Sequence, residues 1–173
     1  MPADQNRAIF EVLIRGRIEE VWKELTRTDR PQRAIFNSVL HTDRVGVGGQ
    51  VRMRTPSGKY TGVVGRYLEV DEPNLLVHTM RFTSSDDPEC TIRYSLAEVA
   101  EGVRLRLVVD DLPLGTKSEK NLRQGGAFIA RNLKAIIETG RPTLGALLLF
   151  LMFRLMEPFS PKRSRSELWP IES

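Results

Sequence analysis

The side chains most able to do chemistry in this chain are its two histidines and its only cysteine. His41, His78 and Cys90 stand far apart in the sequence, and neither histidine has a partner at the spacing that metal ligands use. No metal site and no cofactor is therefore expected. His78 shares strand parity with Leu76 and Met80, so we expect its ring to face the interior as one polar group in an apolar lining.

The carboxylates form two groups, at Asp86 to Glu89 and at Asp110-Asp111. Paired acids can perform acid/base catalysis when burial separates their pKa values, whereas acids in loops are usually solvated. The serines have no Gly-x-Ser-x-Gly frame. No catalytic residue is therefore assigned, and an enzyme would have to use His78, Tyr94 or Asp110.

The elements that must position these residues can be read from the hydrophobic period. Period-two alternation predicts a strand at Phe10 to Ile14, and helical spacing predicts a short helix at Glu19 to Thr26 and a second short one through Arg33 to Phe36. Several alternating strands follow, and a long helix at Asn121 to Thr139 comes next. The order predicts an α+β helix-grip fold, in which a curved antiparallel sheet wraps around a long C-terminal helix.

The long helix contains an unusual pair, Gly125-Gly126. Each glycine inside a helix costs about 1 kcal/mol relative to alanine. The pair is therefore interpreted as a bend, a late helix start, or a close approach of the helix backbone to the sheet.

Composition narrows the class of protein. The chain has 173 residues, a net charge of +4 and 7% aromatic residues. We find no basic face interleaved with aromatic residues, so nucleic-acid binding is not expected. The single cysteine and the polar start of the chain favour a cytoplasmic location.

The segment Leu144 to Met156 is apolar nearly all round, which is unusual for a solvated helix. As a helix it would span about 20 Å, which is too short for the hydrocarbon core of a bilayer. Three arrangements stay open: packing on the domain, pairing with a second copy in a homodimer, or peripheral contact with a membrane. We expect a helix-grip domain over residues 1–141 and a C-terminal extension, with this apolar helix and a basic tail, over residues 142–173.

Several segments, in this order along the chain, resemble those of a known superfamily. They are Phe10-Glu11-Val12, Ile18 to Thr26, Gly48-Gly49, Gly62, Leu68 to Pro73, Leu76-Val77 and Asn132 to Gly140. The chain resembles the SRPBCC or START-like superfamily and, within it, the group named for homology to the activator of the Hsp90 ATPase. The resemblance implies a helix-grip fold and functions as different as cyclases, lipid carriers and hormone receptors.

Strand parity and the apolar stripe of the long helix predict the lining of a cavity between sheet and helix. The predicted ligand-binding residues are Met53, Val64, Leu76, His78, Met80, Tyr94, Leu105, Phe128, Ile129 and Leu133. The first hypothesis is a protein that binds a small hydrophobic or amphipathic molecule there. The alternatives are a cyclase or dehydratase that uses the same cavity, and an adaptor that binds a membrane or a protein through the apolar C-terminal helix.

Overall fold

The computed structural model describes residues 5–172 as seven strands and three α-helices. The strands are β1 (Ala8–Ile14), β2 (Val39–His41), β3 (Gln50–Arg54), β4 (Thr61–Asp71), β5 (Leu75–Phe82), β6 (Cys90–Val99) and β7 (Gly102–Asp110). The helices are α1 (Ile18–Thr26), α2 (Lys117–Thr139) and α3 (Leu144–Met156).

All seven strands form one antiparallel sheet in the order β1-β7-β6-β5-β4-β3-β2. The register aligns Phe10, Leu107, Tyr94 and Leu76 across four neighbouring strands, so these side chains share one face. This inner face lies against α2, because the ring of Phe10 lies directly beneath Gly126 of that helix. Breaks in the register between Met53 and Arg54, and between Tyr67 and Glu69, accompany the curvature of the sheet.

Helix α2 ends at Thr139, as the sequence predicts, but it begins at Lys117, four residues before the predicted Asn121. The side chain of Thr116 accepts a hydrogen bond from the backbone N–H of Glu119, and Gly140 ends the helix in the left-handed conformation with φ of 74°. The helix runs without interruption through Gly125-Gly126. The late helix start is therefore wrong, and close approach to the sheet explains Gly126, where a Cβ atom would meet the Phe10 ring, but not Gly125. The bend stays a prediction.

The predicted helix-grip α+β fold is confirmed, but the second short helix is wrong. Residues 33–37 form turns instead, because Phe36 and Asn37 have φ of 54° and 58°, which no right-handed helix accommodates. Trp22 on α1 is 5% exposed and lies in the core. Strand β2, with only three residues, had no recognisable signal in the sequence.

Helix α3 is held at both ends. At its start, the side-chain oxygen of Asn132 accepts hydrogen bonds from the backbone N–H and the hydroxyl of Thr143, both at 3.1 Å. At its other end, Glu157 accepts hydrogen bonds from the hydroxyls of Thr55 and Ser57. The helix therefore bridges from α2 to the turn between β3 and β4.

The residues after α3 return along β3, β4 and β5. Ser164 is buried and accepts a hydrogen bond from the Thr83 hydroxyl at 2.8 Å. The guanidinium of Arg81 lies over the Trp169 ring, 5.0 Å from its centroid. The tail is thus bound to the sheet by specific contacts, and it fixes the end of α3.

Candidate ligand-binding site

Three polar-tipped rings meet on the inner face of the sheet. Tyr67 lies directly opposite His78 across the β4–β5 pair, and their ring centroids are 6.0 Å apart. The ring of Tyr94, from the neighbouring strand β6, is stacked on His78 with centroids 6.1 Å apart. Three adjacent strands therefore bring Tyr67, His78 and Tyr94 together; we call these residues the aromatic triad.

The environment fixes the protonation states of the triad at neutral pH. Burial raises the pKa of Tyr67 to about 12 and also raises the pKa of Tyr94. Burial lowers the pKa of His78, and the contact of its Nδ1 with the carbonyl oxygen of Thr79 at 2.8 Å opposes that shift. The site therefore presents two neutral hydroxyls and a neutral imidazole.

The polar tips of the triad have unused hydrogen-bonding capacity. Among the described residues, none is hydrogen-bonded to the hydroxyls of Tyr67 and Tyr94 or to Nε2 of His78 by the contacts we observe. None of these three atoms is among the fully enclosed polar atoms that lack a partner, and His78 is only half-buried. These atoms therefore border accessible space, where a polar ligand group or water can bind.

Apolar side chains on the inner face of the sheet and on α2 are likewise not all completely buried. Val12, Val63, Phe82 and Ile129 pack against the core but stay partly exposed. In contrast, Leu105 and Leu133 are completely buried. The interior is thus filled at its centre and open near its margins.

A cluster of four phenylalanines joins α3 to the sheet and helix assembly. The rings of Phe36 and Phe128 are stacked, with centroids 4.4 Å apart and planes 9° from parallel. Phe153 lies 6.2 Å from Phe36, and Phe150 lies 6.4 Å from Phe128. The inner side of α3 therefore covers part of α2 and the loop before β2.

The structure places most, but not all, of the predicted lining on the inner side. The inner face of the sheet carries Met53, Leu76, His78, Met80, Tyr94 and Leu105, and α2 carries Phe128, Ile129 and Leu133. Val64 is different: it pairs with Arg52 and Arg81, which puts it on the opposite face from Met53 and His78. The placement of Val64 is corrected accordingly.

Asp110 does not join the triad. Its neighbour Val109 pairs with Ile92 in the row that contains His78, so Asp110 has the opposite parity, and it forms an ion pair with Arg7. Tyr67 is the site residue that sequence reasoning missed. Its alternation with Val63 on one strand was a usable signal, but its pairing with His78 required the register.

Two surface hollows are found elsewhere. One, of about 230 Å³, is lined by charged residues of α1, by Arg30 and Arg33 and by Ile136 and Ile137 of α2. The other, of about 410 Å³, lies beside residues 40–45 and Ile171. Neither contains a member of the aromatic triad. No group of three or more histidine, cysteine or acidic side chains suited to a metal ion occurs in residues 5–172.

The sequence model of the family described as "Activator of Hsp90 ATPase homolog 1-like protein" matches residues 15–138. The chain belongs to this family. The match ends just before the end of α2, so α3 and the tail lie outside it. The division of the chain at residues 141 and 142 stays a prediction. No curated protein matches the sequence.

Solved structures show the same fold as this member of the family. A protein from the dynemicin biosynthetic locus superimposes with a TM-score of 0.63 and 21% identity over 80% of this chain, which spans 49% of that protein. The Aha1 dimer from Colwellia psychrerythraea has a TM-score of 0.61 and 15% identity, over 78% of this chain and 98% of its own.

An Hsp90 activator from Plasmodium falciparum has a TM-score of 0.61 and 15% identity, over 79% of this chain and 97% of its own. At these identities the similarity shows the fold alone. A dimer or a protein partner is compatible with the fold, and neither is assigned by it.

Proposed function

We propose that this member of the family is a cytoplasmic protein that binds a small hydrophobic or amphipathic molecule between the inner face of the sheet and α2. The observation that carries the proposal is the aromatic triad, in which the free polar atoms of Tyr67, His78 and Tyr94 border accessible space inside an apolar surround. Ligand sites commonly combine such an apolar lining with a few convergent polar groups.

The chemistry of the triad indicates the kind of ligand. Two neutral tyrosine hydroxyls donate and accept hydrogen bonds, whereas Nε2 of the neutral His78 can only accept one, because Nδ1–H donates to the carbonyl oxygen of Thr79. No side chain of the triad carries a charge at neutral pH. A ligand with an apolar body and an uncharged polar group, such as a carbonyl or a hydroxyl, fits these properties.

Binding is better supported than catalysis. With a pKa of about 12, Tyr67 is a poor base at neutral pH, and the raised pKa of Tyr94 has the same consequence. Asp110, the third candidate for acid/base chemistry, faces away from His78. A cyclase or dehydratase would have to use the His78 imidazole as its only base.

The proposal is tested first by native mass spectrometry of the protein as purified from its own cells. We expect an adduct of a few hundred daltons. The second measurement is the affinity of a dansyl-labelled fatty alcohol for the wild type, for Tyr94→Phe and for Tyr60→Phe. Tyr60 is a matched control because it lies just before β4, in a β-bridge with Arg165 of the tail, outside the triad.

Loss of the Tyr94 hydroxyl is expected to weaken binding by about 2- to 10-fold, which is the usual effect of one hydrogen bond. Tyr60→Phe is expected to bind like the wild type. The proposal is refuted if the purified protein carries no adduct and the probe does not bind. It is also refuted if the two variants lose affinity equally while both stay folded.

A further inference from the structure

Helix α3 presents a broad apolar surface to solvent. Only Ala146 of this helix is buried, although α3 contains a single charged residue, Arg154. The most exposed apolar side chains are Leu144 (85%), Leu148 (70%), Leu155 (67%) and, just after the helix, Phe159 (79%). Soluble monomers rarely expose a continuous apolar surface of this kind without a partner.

The surface is a fixed part of the fold. The contacts of Asn132 with Thr143 and of Glu157 with Ser57 hold the two ends of α3, and Phe150 and Phe153 occupy its inner side. The outward leucines therefore cannot turn inward without breaking these contacts. An outside surface is needed to cover them.

The distribution of charge indicates what that surface is. Residues 139–165 contain five basic residues and one acidic residue, a net charge of +4, which equals the net charge of the whole chain. The rest of the chain holds 21 basic and 21 acidic residues and is neutral. The positive charge is thus concentrated around the apolar helix, and the acidic residues Glu167 and Glu172 follow after it.

Part of this charge is available to an outside partner. Arg163 forms an ion pair with Asp86, and Arg165 forms one with Glu167. Arg141, Arg154 and Lys162 form no ion pair with any described residue. These three residues lie before, within and after the apolar helix, so the unpaired cations frame it.

We propose that α3 binds the surface of an anionic lipid bilayer, with its outward leucines in the acyl region and its framing cations at the headgroups. A helix on such a surface gains from both apolar burial and attraction to acidic lipids. Two copies of the chain joined through α3 would instead bring the unpaired cations that frame this helix in each copy together, which opposes a dimer.

The helix lies on the bilayer and does not cross it. In residues 5–172, no helix has by itself both the length and the apolar character needed to span a membrane. The helices Lys117–Thr139 and Leu144–Phe159 are long and apolar enough to span a membrane only when they are taken together. A bend of 116° separates the two. One side of α2 in that pair packs against β1 and β7 of the sheet.

The test is flotation of the full chain with vesicles of phosphatidylcholine alone and with vesicles that also contain phosphatidylserine. The apolar variant is Leu148→Gln with Leu155→Gln, and its control is Leu68→Gln with Leu114→Gln, the same two changes at exposed leucines outside α3. The charge variant is Arg154→Gln with Lys162→Gln, and its control is Lys120→Gln with Arg131→Gln, which removes two exposed cations of α2. Thermal unfolding verifies that every variant is folded.

We expect the wild type to float with the phosphatidylserine vesicles and to dissociate as salt is added. The apolar variant and the charge variant should each bind at least tenfold more weakly, given the energy of each buried apolar side chain and of each lysine or arginine at an anionic surface. Both controls should bind like the wild type.

The proposal is overturned if the wild type fails to float with either vesicle. It is equally overturned if binding is the same without phosphatidylserine, or if the variants bind no worse than their controls. In each case light scattering after size exclusion identifies the alternative: a dimer that Leu148→Gln with Leu155→Gln converts to a monomer would show that a second copy covers α3.

Discussion

The adjacent glycines Gly125 and Gly126 of α2 differ in the space available for a side chain, and substitution of each by alanine tests this difference. A Cβ atom at Gly125 would lie 3.5 Å from the ring of Phe36, an ordinary van der Waals contact. A Cβ atom at Gly126 would lie 2.2 Å from the ring of Phe10, which no real contact tolerates. We therefore predict that Gly125→Ala stabilises the protein and that Gly126→Ala destabilises it relative to Gly125→Ala.

The magnitude follows from two effects. Alanine at either position gains about 1 kcal/mol of helix propensity over glycine. Only Gly126→Ala must displace Phe10, and overpacking of this kind costs about 1–3 kcal/mol. The propensity gain is common to both variants, so the free energies of unfolding should differ by about 1–3 kcal/mol, with Gly125→Ala the more stable.

Urea unfolding of both variants measures this difference directly. A double-mutant cycle with Phe10→Leu tests whether the contact between residue 126 and Phe10 causes this stability difference. A smaller side chain beneath Gly126 should relieve the clash and recover part of the lost stability. Equal stability of Gly125→Ala and Gly126→Ala would refute the close approach of α2 to β1. The close approach would also be refuted if Phe10→Leu did not reduce the loss of stability caused by Gly126→Ala.

Three further predictions concern single side chains. Arg27→Met should lower the free energy of unfolding, measured by urea titration, by about 3–5 kcal/mol. Arg27 is buried and its Nη1 lies 2.6 Å from Glu24, so the substitution takes this partner from a buried carboxylate. A loss below about 1 kcal/mol, which is typical of an exposed ion pair, would contradict this reasoning. His78 has a lowered pKa in the folded state, so the unfolded state takes up the proton first and stability falls as pH drops below about 6.5. His78→Phe should show a weaker fall in stability than the wild type, with His41 present in both. An equal fall would argue against a neutral His78 in the folded state. Cys90 is buried, and burial raises the pKa of its thiol to about 12. At a pH of about 8 an aromatic disulfide reagent should therefore label Cys90 only when the protein unfolds. Rapid labelling of the native protein would contradict the burial of Cys90.

Much of the fold could be predicted because local patterns determine it. Strand β7 alternates Val103, Leu105 and Leu107 with arginines, and these three residues are buried in the structure. The turn before β2 could not be predicted, because its apolar residues also fit a helix, and only the chain path explains the positive φ values of Phe36 and Asn37.

The sequence alone determined the types of the main elements, the bounds of the apolar helix Leu144 to Met156 and the likeness to the family, since each depends on residues close together in the chain or on their order. The tertiary structure alone decided which residues meet. Strand pairing joined Tyr67 to His78 and placed Val64 on the other face, because a shift of one residue in register reverses every side chain. Anchoring at both ends likewise decided that the leucines of α3 face solvent, since a helix that is apolar nearly all round does not specify which side it buries.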